Sequence, residues 1–425
     1  MAREKQGCGC GGCLLALLLT ALAGFGLFAA AELGLLPFDL PEIDTSDVSG
    51  MVDRFVEGPV AQDEEENTID DSVDVQLDAS SAELYAYSQL NESDQELYRI
   101  VLDAMQSREP RDLPEITMFD LTRIREHIMA DHPEIMYLDA MELSTQTNSA
   151  TGEVVKTTVT CHYSMSAEEY EATMEQVDAA VAECLAGLSA DTDDYEKAKY
   201  VFEWIALNTT YDQAAAERLD GVDSETASDG SNGQTIANVM LDHTAVCGGY
   251  ARAYQYMLQQ MGIQCAYVTG TANGGAHAWC VALLDGNYYY IDPTWGDPQF
   301  LSEDGSVAMD GFINYDYLCV NLSDLQTTHA VGPLVVMPPC KSYDDNYYVR
   351  EGLWFESADY DHVSQVLANA LDSGQGYVQF RCADESVYNT ILNDYIVAGD
   401  ILWNLGLTQY SYSSSDDLHS IIVSF

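Results

Sequence analysis

Three residues have the types and the order that acyl chemistry would need: Cys247, His277 and Asp292. Cys247 opens an apolar repeat at helical spacing (Tyr250, Ala253, Tyr254, Met257, Leu258, Met261) that Gly262 closes. A cysteine at a helix start faces unpaired backbone N–H groups and the positive end of the helix dipole, which favour a thiolate and can hold an oxyanion. An imidazole nearby can take the thiol proton and return it to a leaving group. A carboxylate can fix the tautomer of that imidazole. Taken singly, each residue has a plain structural reading. A cysteine is often a small buried hydrophobe, a histidine beside Trp279 a core residue, and an aspartate before proline a turn former. Together and in this order they point to catalysis.

The elements that must position them are readable around the triad. After the helix, the spacing predicts a strand over 263–269, a Gly-rich turn at Asn273-Gly274-Gly275 and a second strand over 277–284. Asp285-Gly286 then makes a hairpin turn into a third strand over 288–292. His277 begins the second strand and Asp292 ends the third, so an antiparallel meander would present both beside the helix start.

The same residues carry a resemblance. Cys247-Gly248-Gly249-Tyr250, Ala276-His277-Ala278-Trp279 and Tyr290-Ile291-Asp292-Pro293-Thr294-Trp295 resemble the core of the transglutaminase-like superfamily, in its bacterial extracellular branch. The segment with Tyr195, Lys197, Ala198 and Trp204 before Asn208-Thr209-Thr210-Tyr211-Asp212 is similar to the approach to that core, so the likeness covers about residues 192–300. It implies a nucleophilic Cys247, a basic His277 and an orienting Asp292. The fold it implies is α+β, a papain-like core of a helix packed on an antiparallel sheet. The activity it implies is acyl transfer through a Cys247 thioester, with water (hydrolysis) or an amine (cross-linking) as acceptor. The alternative is an inactive binding module of the same fold. Two departures bear on substrate preference. Met240 to Val246 stand where the family often has a Gly- and Asn-containing stretch with a lysine, and Cys280 follows His-Ala-Trp. Gln234 and Asn238 are the side chains considered for the oxyanion hole, with neither assigned. No cofactor and no metal site is expected: the calcium ligands of animal transglutaminases are not recognisable, and the acidic loop 220–229 lacks an EF-hand pattern.

Composition bounds the rest. The 425 residues include 16 Lys plus Arg against 70 Asp plus Glu, a formal net charge of −54. That excludes binding to nucleic acid through its phosphates and docking on anionic lipid head groups. Residues 6–31 are uncharged and 14–31 almost wholly apolar, after Arg3 and Lys5 and before an acidic stretch. Length and charge bias predict a single-pass anchor over 1–36 with the bulk of the chain extracellular, the alternative being a cleaved signal and a secreted protein. Residues 37–80 hold 14 acidic residues and one basic, and read as a disordered acidic stalk. There follow an N-terminal α+β region over 81–190, the catalytic core over 191–333 and a small C-terminal α+β domain over 334–425. In the first of these, Ser93 and Glu96 read as a capping box. Residues 212–233 read as a loop and 347–355 as a strand or hairpin. The seven non-catalytic exterior cysteines are expected as free buried thiols, with a Cys265–Cys280 disulfide as the alternative. The partner expected is a peptide or protein substrate, associated with the cell envelope.

Overall fold

The computed structural model describes residues 84–189, 191–219, 233–297 and 312–425. The expected anchor and acidic stalk lie outside the described residues, as do most of loop 212–233 and its acidic stretch. Among the described residues no helix is long and apolar enough to cross a membrane.

The fold is mixed α+β, as expected. It begins with helix Glu92–Ser107, capped by the Asn91 side chain, which accepts from the Asp94 N–H. The capping box read at Ser93 and Glu96 is therefore wrong. Asn91, two residues earlier, is the better cap because its short amide oxygen reaches the orphan N–H of the first turn. Helix Met118–Asp131 starts from a genuine capping box, Thr117 with Asp120. Helix Glu92–Ser107 packs on a three-stranded antiparallel sheet in the order Arg111–Leu113, Val154–Tyr163, Leu138–Thr147, and helix Met118–Asp131 packs against that helix and against strand Cys265–Ala272. Their shared core centres on Tyr98, Val101, Ile124 and Val159.

Helices Ala167–Leu185 and Asp194–Asn208 lead into the middle of the molecule, and Gln213–Leu219 adds a short helix where a loop was expected. There, helix Cys247–Gln260 packs on a four-stranded antiparallel sheet. Its strands run in the order Asn287–Ile291, Gly275–Leu284, Cys265–Ala272, His329–Val331. One apolar cluster fills the space between helix and sheet, with Tyr195, Phe202, Tyr254 and Met257 fully buried. A second lies around Val268, Trp279, Tyr290 and Trp295. The helix start is held by close backbone approach: a Cβ on Gly249 would stand 2.4 Å from the Gly233 carbonyl oxygen and 2.9 Å from the Ala245 Cβ.

The C-terminal part forms another four-stranded sheet, ordered Trp354–Phe355, Tyr377–Cys382, Ser420–Ser424, Ser411–Ser415, with helix Tyr360–Asp372 in contact with it. Residues 347–355 are not one strand. Tyr347–Arg350 is a single helical turn, because the Asn346 side chain caps it and the buried Tyr348 hydroxyl donates to Asp316. Only Trp354–Phe355 is strand. All eight cysteines among the described residues are free, and the seven other than Cys247 are buried. Cys265 and Cys280 sit on neighbouring strands in different rows, Cys265 opposite Ala282 and Cys280 opposite Tyr267.

Candidate active site

Cys247 is the first residue of its helix, half-buried, with Val246 at the N-cap. No side chain caps this helix start, and the first N–H groups of a helix have no intrahelical acceptor. The region thus keeps donors near the sulfur.

His277 and Asp292 meet through strand register. Cys280 stands opposite Ile291, so Asp292, the next residue, arrives beside Trp279. His277, two residues from Trp279, points to the same face and becomes a diagonal neighbour. Their bond is His277 Nε2 to Asp292 Oδ2, 2.7 Å. Asp292 also caps the short helix Pro293–Gly296: its Oδ1 accepts the N–H groups of Thr294 at 2.9 Å and Trp295 at 3.4 Å. An ionised carboxylate has only lone pairs, so His277 Nε2 carries the hydrogen of this bond and Nδ1 is left for Cys247. Burial opposes charge on His277, but the Asp292 carboxylate outweighs it, followed by a hydrogen bond with Cys247, and the imidazole is held well above its ordinary pKa. Burial also works against the Asp292 anion. His277 and then His329 more than compensate and hold that carboxyl well below the usual range.

His329 has no counterpart in the sequence reading. It opens the edge strand His329–Val331 and brings Nε2 within 3.2 Å of the same Asp292 Oδ2. Its side chain and that of Asp292 are both 0% exposed, and that of His277 is 6% exposed. Trp279, Trp295 and Tyr317 surround its ring at centroid distances of 5.0, 4.7 and 5.1 Å. The signal was weak: a lone histidine in a three-residue strand, 37 residues beyond Asp292.

The two candidates for the oxyanion hole separate. Gln234 lies against Gly248, the neighbour of Cys247: a Cβ on Gly248 would stand 3.4 Å from its Oε1 and 3.4 Å from the Tyr267 hydroxyl. Asn238 is consumed elsewhere, its Oδ1 in a capping box with Thr235 and its amide on Asp242. Tyr250, of the Cys-Gly-Gly-Tyr segment, donates to Asp297 at 2.5 Å and ties the helix to the segment after Asp292. Farther along the helix, Arg252, Gln255 and Gln259 donate to the carbonyls of Met129, Ala130 and Asp131, the last turn of helix Met118–Asp131.

His277, Asp292 and His329 are also the residues, among those described, that could hold a metal ion, with ligand atoms within 4.8 Å of one another. Two imidazole N–H groups and two backbone N–H groups already fill the Asp292 acceptor positions. The cluster is therefore satisfied by hydrogen bonds alone.

Residues 182–293 match the family model of the transglutaminase-like superfamily. The chain carries a transglutaminase-like domain. The kyphoscoliosis peptidases of Homo sapiens and Mus musculus are 26% and 25% identical to it over 115 residues, covering 24% of this chain. The chain spans only 16% of the length of those relatives. A solved structure described as a TGase shares 17% identity over 44% of this chain and 51% of that one, with a TM-score of 0.26. All three proposed triad residues fall within the transglutaminase-like domain, whereas His329 lies beyond its matched end.

Proposed function

We propose that the transglutaminase-like domain performs acyl transfer on peptide or protein amides through a thioester on Cys247. The observation that supports it is the buried 2.7 Å bond from His277 to Asp292, which leaves the other imidazole nitrogen facing a cysteine at an uncapped helix start. Cys247 transfers its proton to His277, and the sulfur attacks the amide carbonyl carbon. A C–S bond forms and the carbonyl electrons move onto oxygen, where the first N–H groups of the helix are the available donors. His277 returns the proton to the amide nitrogen as the C–N bond breaks, and the amine leaves. Water or an amine then attacks the thioester while His277 accepts its proton. The C–S bond breaks and the thiol is restored. Asp292 holds His277 in the required tautomer and stabilises the imidazolium.

The same proposal includes a compartment. The uncharged run 6–31 between a basic start and an acidic stalk supports a membrane anchor with the domain outside the cytoplasm. N-terminal sequencing of the mature protein tests it: a start at or just after Glu32 replaces the anchor with secretion. The chemistry is tested by incubating the full chain with peptides that contain or lack a primary amine and weighing the products. Hydrolysis or cross-linking lost in Cys247→Ala is expected. Binding without turnover would leave the domain as a recognition module.

A further inference from the structure

Asp292 receives two imidazoles on one oxygen, and only one of them belongs to the expected triad. The hydrogen bonds around the second run in one direction. Asp292 is ionised and accepts, so His329 Nε2 must carry hydrogen and, in a neutral ring, Nδ1 must accept. The Thr328 hydroxyl lies 2.8 Å from that Nδ1, and the Tyr317 hydroxyl lies 2.7 Å from Thr328 Oγ1. The chain therefore reads Tyr317 O–H to Thr328 O–H to His329 Nδ1, then His329 Nε2–H to Asp292. Two hydroxyls select the one tautomer that can donate to the carboxylate.

The backbone makes room for this arrangement. Gly270 pairs with His277 on one side and with Val331 on the other. A Cβ there would stand 2.1 Å from the Ala330 oxygen and 2.7 Å from the Trp279 ring. Only glycine lets the strand carrying His329 close on the sheet while Trp279 packs below it.

We propose that His329 is a positioning residue that acts through Asp292, so that the site works as a hydrogen-bonded tetrad of Cys247, His277, Asp292 and His329. This rests on the acyl-transfer reading of the same site. The hydrogen bonds of His329 run to Thr328 and Asp292. His329 holds Asp292 Oδ2 toward His277 and shares the charge that His277 feels.

The test is alkylation of Cys247 by iodoacetamide in the full chain, followed by mass spectrometry from pH 4 to 10, about the range in which imidazoles and thiols titrate. His329→Phe keeps the ring's bulk and removes the donor. It should slow alkylation at neutral pH by about ten- to hundredfold, the worth of a hydrogen bond to a charged group, and displace the midpoint of the pH profile. His329→Gln retains an N–H donor and should stay within about threefold of the wild type. Thr328→Val removes only the hydroxyl that selects the tautomer, at a half-buried position, and should displace the profile in the same sense by less. A folded His329→Phe protein with the wild-type rate and midpoint overturns the proposal. So does His329→Gln losing as much as His329→Phe, since ring packing would then be the cause. If His329→Phe does not fold, an unchanged profile in Thr328→Val overturns it instead. A wild-type Cys247 no faster than free cysteine removes the acyl-transfer reading and this proposal with it.

Discussion

Among the described residues there are two four-stranded sheets, and they bury polar groups to different ends. The sheet that meets helix Cys247–Gln260 encloses His277, Asp292 and His329 among aromatic rings. The C-terminal sheet encloses Phe355, Phe380, Val378, Ile421 and Val423 on one face, and buries Gln379, Arg381 and Ser420 paired with Asn314, Asp324 and Asp316. Burying polar groups costs free energy unless each is paired, and pairing must be geometrically good to break even. The contrast separates a sheet whose buried polar groups meet one another at the candidate site from one whose buried polar groups fasten it to the segment 312–325. The edges show it again. The edge strand His329–Val331 carries a fully buried histidine, whereas Ser411–Ser415 is an almost wholly exposed run of serines and a tyrosine.

Substitutions can sharpen this contrast. The largest effect is expected from His277→Ala, which should reduce Cys247-dependent turnover by about four orders of magnitude or more while the protein still unfolds cooperatively. Phe380→Ala should do the reverse. Truncating that buried ring, edge-to-face with Phe355, should cost about 3–5 kcal/mol of stability, with turnover per folded molecule unchanged. Thermal unfolding and active-site titration on both variants would break the comparison if either changed both quantities. Next come the two edges. Gly270→Ala forces the His329 strand away and should cost about 1–3 kcal/mol together with thiol reactivity, whereas Ser413→Ala should remain within about 0.5 kcal/mol and leave reactivity alone.

The finest effect is a dependence on pH. His277 has a raised pKa in the folded protein, so its contribution is complete below its unfolded value near 6.5 and fades as pH climbs through the folded value. Asp292 has a lowered one, so its contribution is complete above about 3.8 and fades as pH falls through the folded value. The difference in melting temperature between wild type and Asp292→Asn should therefore be widest between about pH 4 and 6.5 and narrow on the alkaline side. A difference that widens there contradicts the charged pair. Asn is preferred to Ala because Asp292 also caps helix Pro293–Gly296.

Much of the sheet beside helix Cys247–Gln260 was legible because each candidate triad residue borders a strong local signal: an apolar helical repeat after Cys247, an unbroken apolar run after His277, and a proline after Asp292. His329 carried none, since three residues of edge strand have no periodicity and their partner strand lies more than fifty residues earlier. Ser411–Ser415 was missed for a related reason. Its serines resemble a loop, and pairing with Ser420–Ser424 makes it a strand. The capping misreading at Ser93 and the idle Asn238 share another cause. Several short polar residues near a helix start can serve as the cap, and local spacing alone does not rank them.

The fastening of helix Cys247–Gln260 to the carbonyls of Met129, Ala130 and Asp131 has a practical meaning for anyone cloning this protein. A gene fragment trimmed to the family-matched residues 182–293 would encode Cys247, His277 and Asp292. It would omit the carbonyls that three side chains of helix Cys247–Gln260 grip and the strand that brings His329 to Asp292. Such a fragment would leave Gln255 and Gln259 with only the Cys265 carbonyl as acceptor and would expose an open sheet edge. The smallest unit worth expressing runs from the N-terminal helices through at least Val331.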